Sequence, residues 1–328
     1  MELPWDLREA LQERAEGREP SRLIRDANEL SARYRNAPRT GKRLLGGEGE
    51  ALAYAVARMP ATYGAVATAL AWALAGYGGG LRTLLDVGAG TGAASWAACS
   101  LLKLEAVTCL EREQAMLAEG RTLMERGDET LRSAAWLKRD LTTGLAGLRA
   151  ELVIASYVLN EMEAEERKRC ALRLWEATEG LLLIVEPGTP AGFAGLRDIR
   201  ELLLSRGAHL AAPCPGEGAG PLPEGEWCHC TCRIARSGLH RRLKGGEAPY
   251  EDEKFSYMAF ARGTMPERPA GRVLRHPRIE SGRVTLEMCM RDGTRMLTLT
   301  KRDGEAYKKA RKLRMGDGFD PLRDGPER

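Results

Sequence analysis

The fold of this chain is decided by one short stretch, Leu84-Leu85-Asp86-Val87-Gly88-Ala89-Gly90-Thr91-Gly92-Ala93-Ala94-Ser95. It begins as an apolar run, turns at its glycines and continues into an Ala-rich segment, which predicts a buried strand, a tight turn and a helix start. Glycines let the backbone pass close to a ligand, and the first turn of a helix offers N–H groups without partners. The stretch therefore predicts a ligand site formed by backbone, with Asp86 as an acceptor.

The spacing of the glycines separates this turn from that of dinucleotide-binding domains. The pattern is G-x-G-x-G, whereas dinucleotide binders carry G-x-G-x-x-G. With an Asp ahead of it, the pattern resembles motif I of the class I methyltransferases, which bind S-adenosylmethionine (SAM). That resemblance implies a SAM site at Asp86, Gly88, Ala89, Gly90, Thr91 and Gly92. The alternative is a glycine-rich turn in some other α/β domain.

Two carboxylates downstream lie at suitable distances for the same ligand. Glu111 ends a predicted strand about twenty residues after the glycines, where such folds hold the ribose hydroxyls. Asp140, followed by Leu141, is expected to end the third strand and to contact the adenine amino group, as methyltransferases usually do. Each has a structural alternative, because Glu111 lies in a charged run and Asp also begins turns.

Alternating strand and helix patterns over residues 79–190 predict a doubly wound sheet. The predicted strands are Thr83–Val87, Ala106–Leu110, Ala134–Lys138, Leu152–Ser156 and Leu181–Val185. Because ligands bind at the carboxyl ends of such strands, Tyr157–Glu161 and Glu186-Pro187-Gly188 are expected in the same crevice, with Tyr157 as a ligand contact. The predicted fold class is α/β, a class I SAM-dependent methyltransferase (Rossmann-like) sheet.

Further segments flank this sheet. We predict a helical region at 1–78, a methyltransferase domain at 79–263 with a Cys-rich insertion at about 208–232, and a small basic β-rich module at 264–328. Within the first, Glu48–Arg58 and Ala61–Ala75 are expected to be two helices separated by Met59-Pro60. Trp227–Ile234 and Phe255–Ala261 are expected to be the sixth and seventh strands. Arg283–Met290 and Thr294–Thr300 flank Arg291-Asp292-Gly293, which predicts a hairpin.

Composition and charge limit the function classes. Hydrophobic residues make up 43% and charged residues 29% of the 328, typical of a globular protein, and no apolar run is long enough to span a bilayer. The first residues lack the pattern of a secretory signal, and their acids argue against a transit peptide, so we expect a cytoplasmic protein. We also expect a monomer.

The positive charge is concentrated in the last third of the chain. Residues 233–328 hold 23 Lys and Arg against 14 Asp and Glu, although the whole chain has a net charge of only +4. This distribution indicates a polyanion partner, with a solvated face as the alternative. The candidate contacts are Arg233, Arg236, Arg241, Arg242, Lys244, Lys308, Lys309, Arg311 and Lys312.

Several blocks of sequence resemble the Rsm22 family, which consists of methyltransferase-like proteins of small ribosomal subunit assembly in bacteria and mitochondria. The blocks are Ala53–Tyr63, Ser156-Tyr157-Val158-Leu159-Asn160-Glu161, Val185–Pro190, Tyr250–Tyr257 and Tyr307–Lys312. The resemblance runs from about residue 51 to residue 317. It implies SAM-type binding motifs, action on the small ribosomal subunit and its rRNA during maturation, and four cysteines that hold a 4Fe–4S cluster.

The cysteines of this chain match that set in part. A cytoplasmic chain with eight cysteines is not expected to form a disulfide framework. The resemblance maps three of the four ligands to Cys214, Cys228 and Cys289, while the remaining family cysteine corresponds to Gly220. On a strand, Cys230 would lie about 6.5–7 Å from Cys228, suitable for a neighbouring corner of a cubane, whereas Cys232 would lie about 13 Å away. Zinc, with His229 in reserve, and the absence of any metal are the alternatives.

Two classes of function remain open from the sequence. In the first, the protein is a SAM-dependent methyltransferase acting on small-subunit rRNA; in the second, it is an rRNA-binding assembly factor that uses SAM and the metal structurally. A methyltransferase for a small molecule or a protein is a third, weaker alternative. The loop Ser156–Glu161 lacks both the Asn/Asp-Pro-Pro-aromatic motif of amino-group methyltransferases and a cysteine nucleophile, so no catalytic residue is assigned.

Overall fold

The computed structural model describes residues 1–36, 47–218, 222, 225–244, 246–263 and 265–321, with residues 30–36 as backbone only. Gly220 therefore lies outside the described residues. The helices are α1 (Trp5–Glu16), α2 (Pro20–Asn36), α3 (Glu48–Leu74), α4 (Ala93–Leu101), α5 (Gln114–Met124), α6 (Glu129–Arg132), α7 (Ala164–Ala177), α8 (Pro190–Leu204), α9 (Gly238–Lys244) and α10 (Gly304–Ala310). The strands are β1 (Thr83–Val87), β2 (Ala106–Glu111), β3 (Ala135–Lys138), β4 (Ala150–Ser156), β5 (Thr178–Pro187), β6 (His209–Ala212), β7 (Cys230–Ala235), β8 (Tyr250–Ala261), β9 (Gly271–Val273), β10 (Arg278–Glu280), β11 (Arg283–Met290), β12 (Gly293–Thr300) and β13 (Gly318–Phe319).

The larger sheet has the strand order β3-β2-β1-β4-β5-β8-β6. Strands β1 to β5 run parallel, and β8 runs antiparallel to β5. A parallel sheet that reverses order at its first strand and ends in an antiparallel pair is the class I methyltransferase fold. The predicted fold class is confirmed.

The sheet is buried on both faces, as its apolar strands require. In β4, Leu152 and Ile154 face the core shared with α3 and α4, while Val153 and Ala155 face the core shared with α7 and α8. The carboxyl ends of β1, β2 and β4 are thereby held at one edge, where the loops that follow them meet.

The identity of the sixth strand differs from the prediction. The sixth strand is His209–Ala212, which pairs with β8 at Ala259 and Ala261. It lies at the start of the segment, about 208–232, that was expected to be a Cys-rich insertion. Cys230–Ala235 pairs instead with the first half of β8, from Tyr250 to Phe255. Because β8 is twelve residues long, it accommodates both strands on one side, one after the other.

The two predicted Ala-rich helices form one continuous helix, α3, with Pro60 in its interior. An interior proline removes one backbone hydrogen bond and costs about 3 kcal/mol. Here the helix is buried along most of its length against α4 and β8, and this burial offsets the loss. The expected break at Met59-Pro60 is therefore wrong.

A second, five-stranded sheet follows at residues 271–319, in the order β10-β11-β9-β13 with β12 paired to β11. The hairpin predicted around Arg291-Asp292-Gly293 is present, with Met290 opposite Gly293. Leu286, Met288 and Tyr307 are buried in its core. The indole of Trp72 in α3 donates to Asp317 at 3.2 Å, which ties this sheet to the first part of the molecule. None of the described helices is long and apolar enough to cross a membrane.

Candidate functional site: the crevice and the cysteine cluster

A cavity of about 530 Å³ opens where the loops after the parallel strands meet. It is lined by residues from the glycine turn, from the ends of β2 and β4, from the turn after β3 and from one side of α3. Ala27 and Asn28 of α2 and Leu243 and Lys244 of α9 line it as well. A cavity of this size is typical of a small-molecule site.

The floor of the cavity is the glycine turn, whose geometry only glycine adopts readily. Gly88, Gly90 and Gly92 have φ angles of +71°, +57° and +87°. A Cβ atom on Gly88 would lie 2.3 Å from a methyl group of Val158, whereas one on Gly90 would meet only Met116, at 3.8 Å. The turn is fixed from below, because Gly88 N and Ala89 N both donate to Leu110 O at 2.9 Å.

Glu111 lies at the end of β2 beside this turn. Its carboxylate accepts a hydrogen bond from Gly90 N at 2.8 Å and another from Glu113 N at 2.8 Å. Burial raises its pKa, against the hydrogen bonds that it accepts. Each carboxylate oxygen has a second lone pair, so Glu111 can also accept from a ligand hydroxyl in the cavity.

Asp140 lies two residues after β3 rather than at its end. Its Oδ1 accepts from Thr142 N and Thr142 Oγ1, both at 2.8 Å, and caps a single 3₁₀ turn. Both of the proposed alternatives are thus present, because Asp140 begins a turn and also lines the cavity together with Leu141.

Six of the ten residues predicted to bind SAM line the cavity: Gly88, Gly90, Glu111, Asp140, Leu141 and Tyr157. The other four, Asp86, Ala89, Thr91 and Gly92, do not. Asp86 is fully buried behind the turn, where its Oδ2 accepts from Ser95 N at 3.1 Å and from Ser95 Oγ at 2.7 Å. Burial raises its pKa to about 7. Its position supports the start of α4 and not a direct ligand contact.

The loop after β4 carries a strained residue. Tyr157 has a φ of +59°, unusual for a bulky side chain. Its hydroxyl donates to Glu253 at 2.9 Å, and Glu253 also pairs with Arg58 at 3.2 Å. The Arg58 guanidinium lies 5.9 Å from the centre of the Tyr157 ring. Such strain is typical of functional sites, where the surroundings hold it in place.

Glu186, at the end of β5, holds the same loop from below. It is 2% exposed and accepts from Leu159 N at 2.9 Å and from Asn160 N at 3.2 Å. When the Asn160 amide is oriented by its hydrogen bonds, its nitrogen donates to Glu186 at 2.8 Å and to Tyr157 O at 3.2 Å. Glu186 was expected at the crevice without an assigned role, and Arg58 and Glu253 were not predicted as functional, although all three lie in the blocks that resemble the Rsm22 family.

A second group of side chains lies where the loop after β6 meets the second sheet. Cys228 is close enough to interact electrostatically with Cys214, Cys230 and Cys289, and burial is the main cause that raises its pKa. Burial also raises the pKa of Cys230 and of Cys289 to about 12. Cys232 interacts more strongly with Glu253 and Thr68 than with Cys230. The structure thus brings the four predicted cysteines into one neighbourhood.

The thiols in this group are not arranged around a single ion. Among the residues that the structure describes, no three Cys, His, Asp or Glu side chains are close enough to hold one metal ion. A mononuclear zinc site would require four donors within about 2.3 Å of the metal. A cluster is bound by one thiolate at each iron, so its ligands stand further apart. The described thiols therefore form no mononuclear zinc site as they stand.

Four arginines form hydrogen bonds with β6 and with the loop after it, which carries Cys214. They donate to carbonyl oxygens along it: Arg268 to Leu210 O at 3.2 Å, Arg291 to Pro215 O at 3.2 Å, and Arg272 and Arg200 to Pro213 O and Gly218 O. Arg272 also donates to Gly316 O at 2.6 Å in the second sheet. These contacts could not be predicted from the sequence, because arginines are numerous throughout the last third of the chain.

The predicted basic residues fall into two sets. Arg233 pairs with Asp252 at 2.7 Å, and Arg236 and Lys244 both pair with Glu251. Their charges are therefore largely compensated within the protein. The other candidates, Arg241, Arg242, Lys308, Lys309, Arg311 and Lys312, are exposed, and of these Lys308 pairs with Glu305 at 2.5 Å.

Comparison with known proteins identifies the family to which this architecture belongs. The model of the family described as mitochondrial small ribosomal subunit Rsm22 matches residues 48–320. This chain belongs to the Rsm22 family. The matched residues include the glycine turn, the loop after β4 and all four cysteines, so both candidate sites lie within the family region.

Curated relatives of the family are mitochondrial proteins. The human mitochondrial ribosome assembly protein METTL17 is 29% identical over 259 residues, which cover 72% of this chain and 55% of the relative. The mitochondrial Rsm22-cox11 tandem protein 2 of Schizosaccharomyces pombe is 26% identical over 217 residues, covering 51% of this chain and 29% of the relative. This chain thus spans about half or less of the length of these relatives.

Solved structures similar to this chain are methyltransferases of low sequence identity. Magnesium protoporphyrin IX methyltransferase from Synechocystis, solved with bound SAM, is 15% identical with a TM-score of 0.42, covering 75% of this chain and 98% of that one. A putative RNA methyltransferase from Pyrococcus horikoshii is 14% identical with a TM-score of 0.40, covering 60% and 83%.

Proposed function

We propose that this protein binds SAM in the crevice and acts on the small ribosomal subunit, through its rRNA, during assembly. The observation that best supports a SAM site is the hydrogen bond between Gly90 N and the Glu111 carboxylate. It places an open glycine turn and a buried carboxylate at the end of β2 beside the same cavity. In this arrangement the turn lies under the ligand and Glu111 accepts from the ribose hydroxyls. Asp140 and Leu141 lie at the adenine end.

The role in subunit assembly rests on membership of the Rsm22 family and on the description of METTL17 as a ribosome assembly protein. The exposed cations of the C-terminal third fit a polyanionic partner such as rRNA. Cytoplasmic location and a monomeric state stay predictions from the sequence.

Cys214, Cys228, Cys230 and Cys289 are proposed to hold a 4Fe–4S cluster. The support is their shared neighbourhood and the cationic Arg272, whose charge favours the thiolate form of all four. When bound, the cluster would supply a link between the loop after β6 and the second sheet. Anaerobic purification followed by an absorption spectrum and by iron, sulfide and zinc analysis tests this assignment.

Methyl transfer and structural use of SAM are separable by experiment. One observation supports the structural role: Asn160 lines the cavity, but its backbone N–H and its side-chain amide are occupied by Glu186 and Tyr157 O, which hold the loop. Radiolabelled SAM is incubated with immature small subunits, and protein and rRNA are then counted. Label in rRNA identifies a methyltransferase, whereas tight SAM binding without transfer identifies an assembly factor; absence of SAM binding contradicts the proposal.

A further inference from the structure

The strand order fixes the direction in which a SAM-like ligand lies in the crevice. Asp140 follows β3, Glu111 ends β2, Gly88 follows β1 and Tyr157 follows β4, and these strands are neighbours in that order. With adenine at Asp140 and ribose at Glu111, the amino-acid arm must extend past Gly88 toward β4. Neighbouring strands are about 4.8 Å apart, so β2 and β4 are separated by roughly 10 Å, enough for this arm.

Arg58 of α3 lines the cavity at that end. It lies over the Tyr157 ring and is held from behind by Glu253, which contacts two of its nitrogens at 3.2 and 3.4 Å. Glu253 itself does not line the cavity. Its carboxylate is held in position by a hydrogen bond of 2.9 Å from the Tyr157 hydroxyl. A guanidinium has five N–H donors, so the contacts with Glu253 leave others for a ligand.

The other cations that line the cavity are placed differently. Arg112 pairs with Glu161 at 3.4 Å, next to the ribose end. Lys244 lies close enough to Arg58 to interact with it electrostatically, but its ammonium donates to both carboxylate oxygens of Glu251, at 2.8 and 3.1 Å. Arg139 precedes Asp140 at the adenine end. Among the described residues that line the cavity, Arg58 is thus the cation best placed for the amino-acid arm.

Building on the proposed SAM site, we propose that Arg58 binds the α-carboxylate of the S-adenosyl ligand. Glu253 and Tyr157 are positioning residues: Glu253 holds the two Nη atoms of Arg58 from behind and leaves the Nε–H and the outer Nη–H groups for the ligand. Guanidinium and carboxylate form paired, charge-assisted hydrogen bonds, which select for this ligand group. This role explains the strained φ of Tyr157, because that backbone conformation places the ring and the hydroxyl beneath Arg58.

The test uses two ligands that differ only in the carboxylate, S-adenosylhomocysteine and its decarboxylated analogue, titrated calorimetrically into the full chain. The wild type is expected to bind the first about 10- to 100-fold more tightly, as for one charge-assisted pair. In Arg58→Gln this ratio should fall to near 1 with little change for the decarboxylated ligand. Arg58→Lys should restore part of the ratio, and Tyr157→Phe should lower it by about 2- to 5-fold.

Arg139→Gln is the matched control, because it removes an arginine from the adenine end of the same cavity and should leave the ratio unchanged. Since Arg58→Gln leaves Glu253 unpaired, the double variant Arg58→Gln/Glu253→Gln is measured as well, with thermal unfolding as a check of folding. An equal loss for both ligands, or an unchanged ratio in Arg58→Gln, overturns the assignment while the SAM site stands. A folded wild type that binds neither ligand overturns the SAM site and this inference together.

Discussion

At the scale of single residues, Glu186 links the end of β5 to the loop that shapes the crevice. Burial raises its pKa to about 8, even though Leu159 and Asn160 donate to its carboxylate. A raised folded-state pKa means that the protonated form stabilises the fold. This contribution is complete below the unfolded pKa, near 4.3, and is lost as the pH rises through about 8.

Substitution Glu186→Gln should remove this pH dependence. The difference in unfolding free energy, wild type minus variant, is expected to decrease between pH 5 and pH 8.5 by an amount on the order of 1–4 kcal/mol. Urea unfolding at several pH values measures it. Glu176→Gln, on the exposed side of α7, is the control and should give a flat difference. A flat or rising difference for Glu186→Gln would contradict the assignment of its pKa.

The location of a site residue could be predicted where that residue follows a recognisable strand. Glu111 and the glycines were found because a strand followed by an acid or a turn defines one edge of the sheet. Arg58 and Glu253 could not be found in this way, since α3 and β8 are far apart in the chain and meet only after folding. Asp86 lies where predicted, at the end of β1, but it faces the helix start behind the turn.

At the scale of elements, the loop after β6 depends on Arg272. This side chain is 7% exposed and joins Pro213 O to Gly316 O in the second sheet. Arg272→Gln leaves buried carbonyls without a charged donor, so a loss of about 2–4 kcal/mol in unfolding free energy is expected. Because Arg272 does not line the crevice, SAM affinity should change less than about twofold, within ~0.4 kcal/mol.

Iron content after anaerobic reconstitution should fall in the same variant, because Arg272 anchors Pro213, next to Cys214, and lies opposite Cys289 in the pairing of β9 with β11. Arg275→Gln, exposed in the same segment, is the matched control. Wild-type stability and iron content in Arg272→Gln would show that the arginine does not organise this loop.

Elements were predictable where local pattern and tertiary packing agree. The five parallel strands follow from apolar runs that alternate with helical segments, and the hairpin of the second sheet follows from its turn residues. α3 and β6 did not follow, because their state depends on partners: burial overrides the proline in α3, and the length of β8 creates room for β6.

At the scale of the whole molecule, the exposed cations near the C-terminal end are the expected rRNA contact. Neutralising Lys308, Lys309, Arg311 and Lys312 to Gln should weaken binding to many RNAs alike and reduce the slope of log affinity against log salt by roughly 3, as for four phosphate contacts. Filter binding across a salt series measures the slope. Neutralising the exposed Arg18, Arg22, Arg25 and Arg121 is the control, and an unchanged slope in the first variant would exclude this surface.

The central claim is that SAM lies over the glycine turn, and Gly90 tests it most directly. Its Cβ direction is open to the cavity, so Gly90→Arg fills the ligand space, whereas Gly90→Ala carries the same backbone cost of about 1–2 kcal/mol at positive φ without filling it. In calorimetric titration with SAM, the wild type and Gly90→Ala should bind one ligand each, and Gly90→Arg should give no binding heat. SAM binding with unchanged affinity in Gly90→Arg, or none in a folded wild type, would contradict the account.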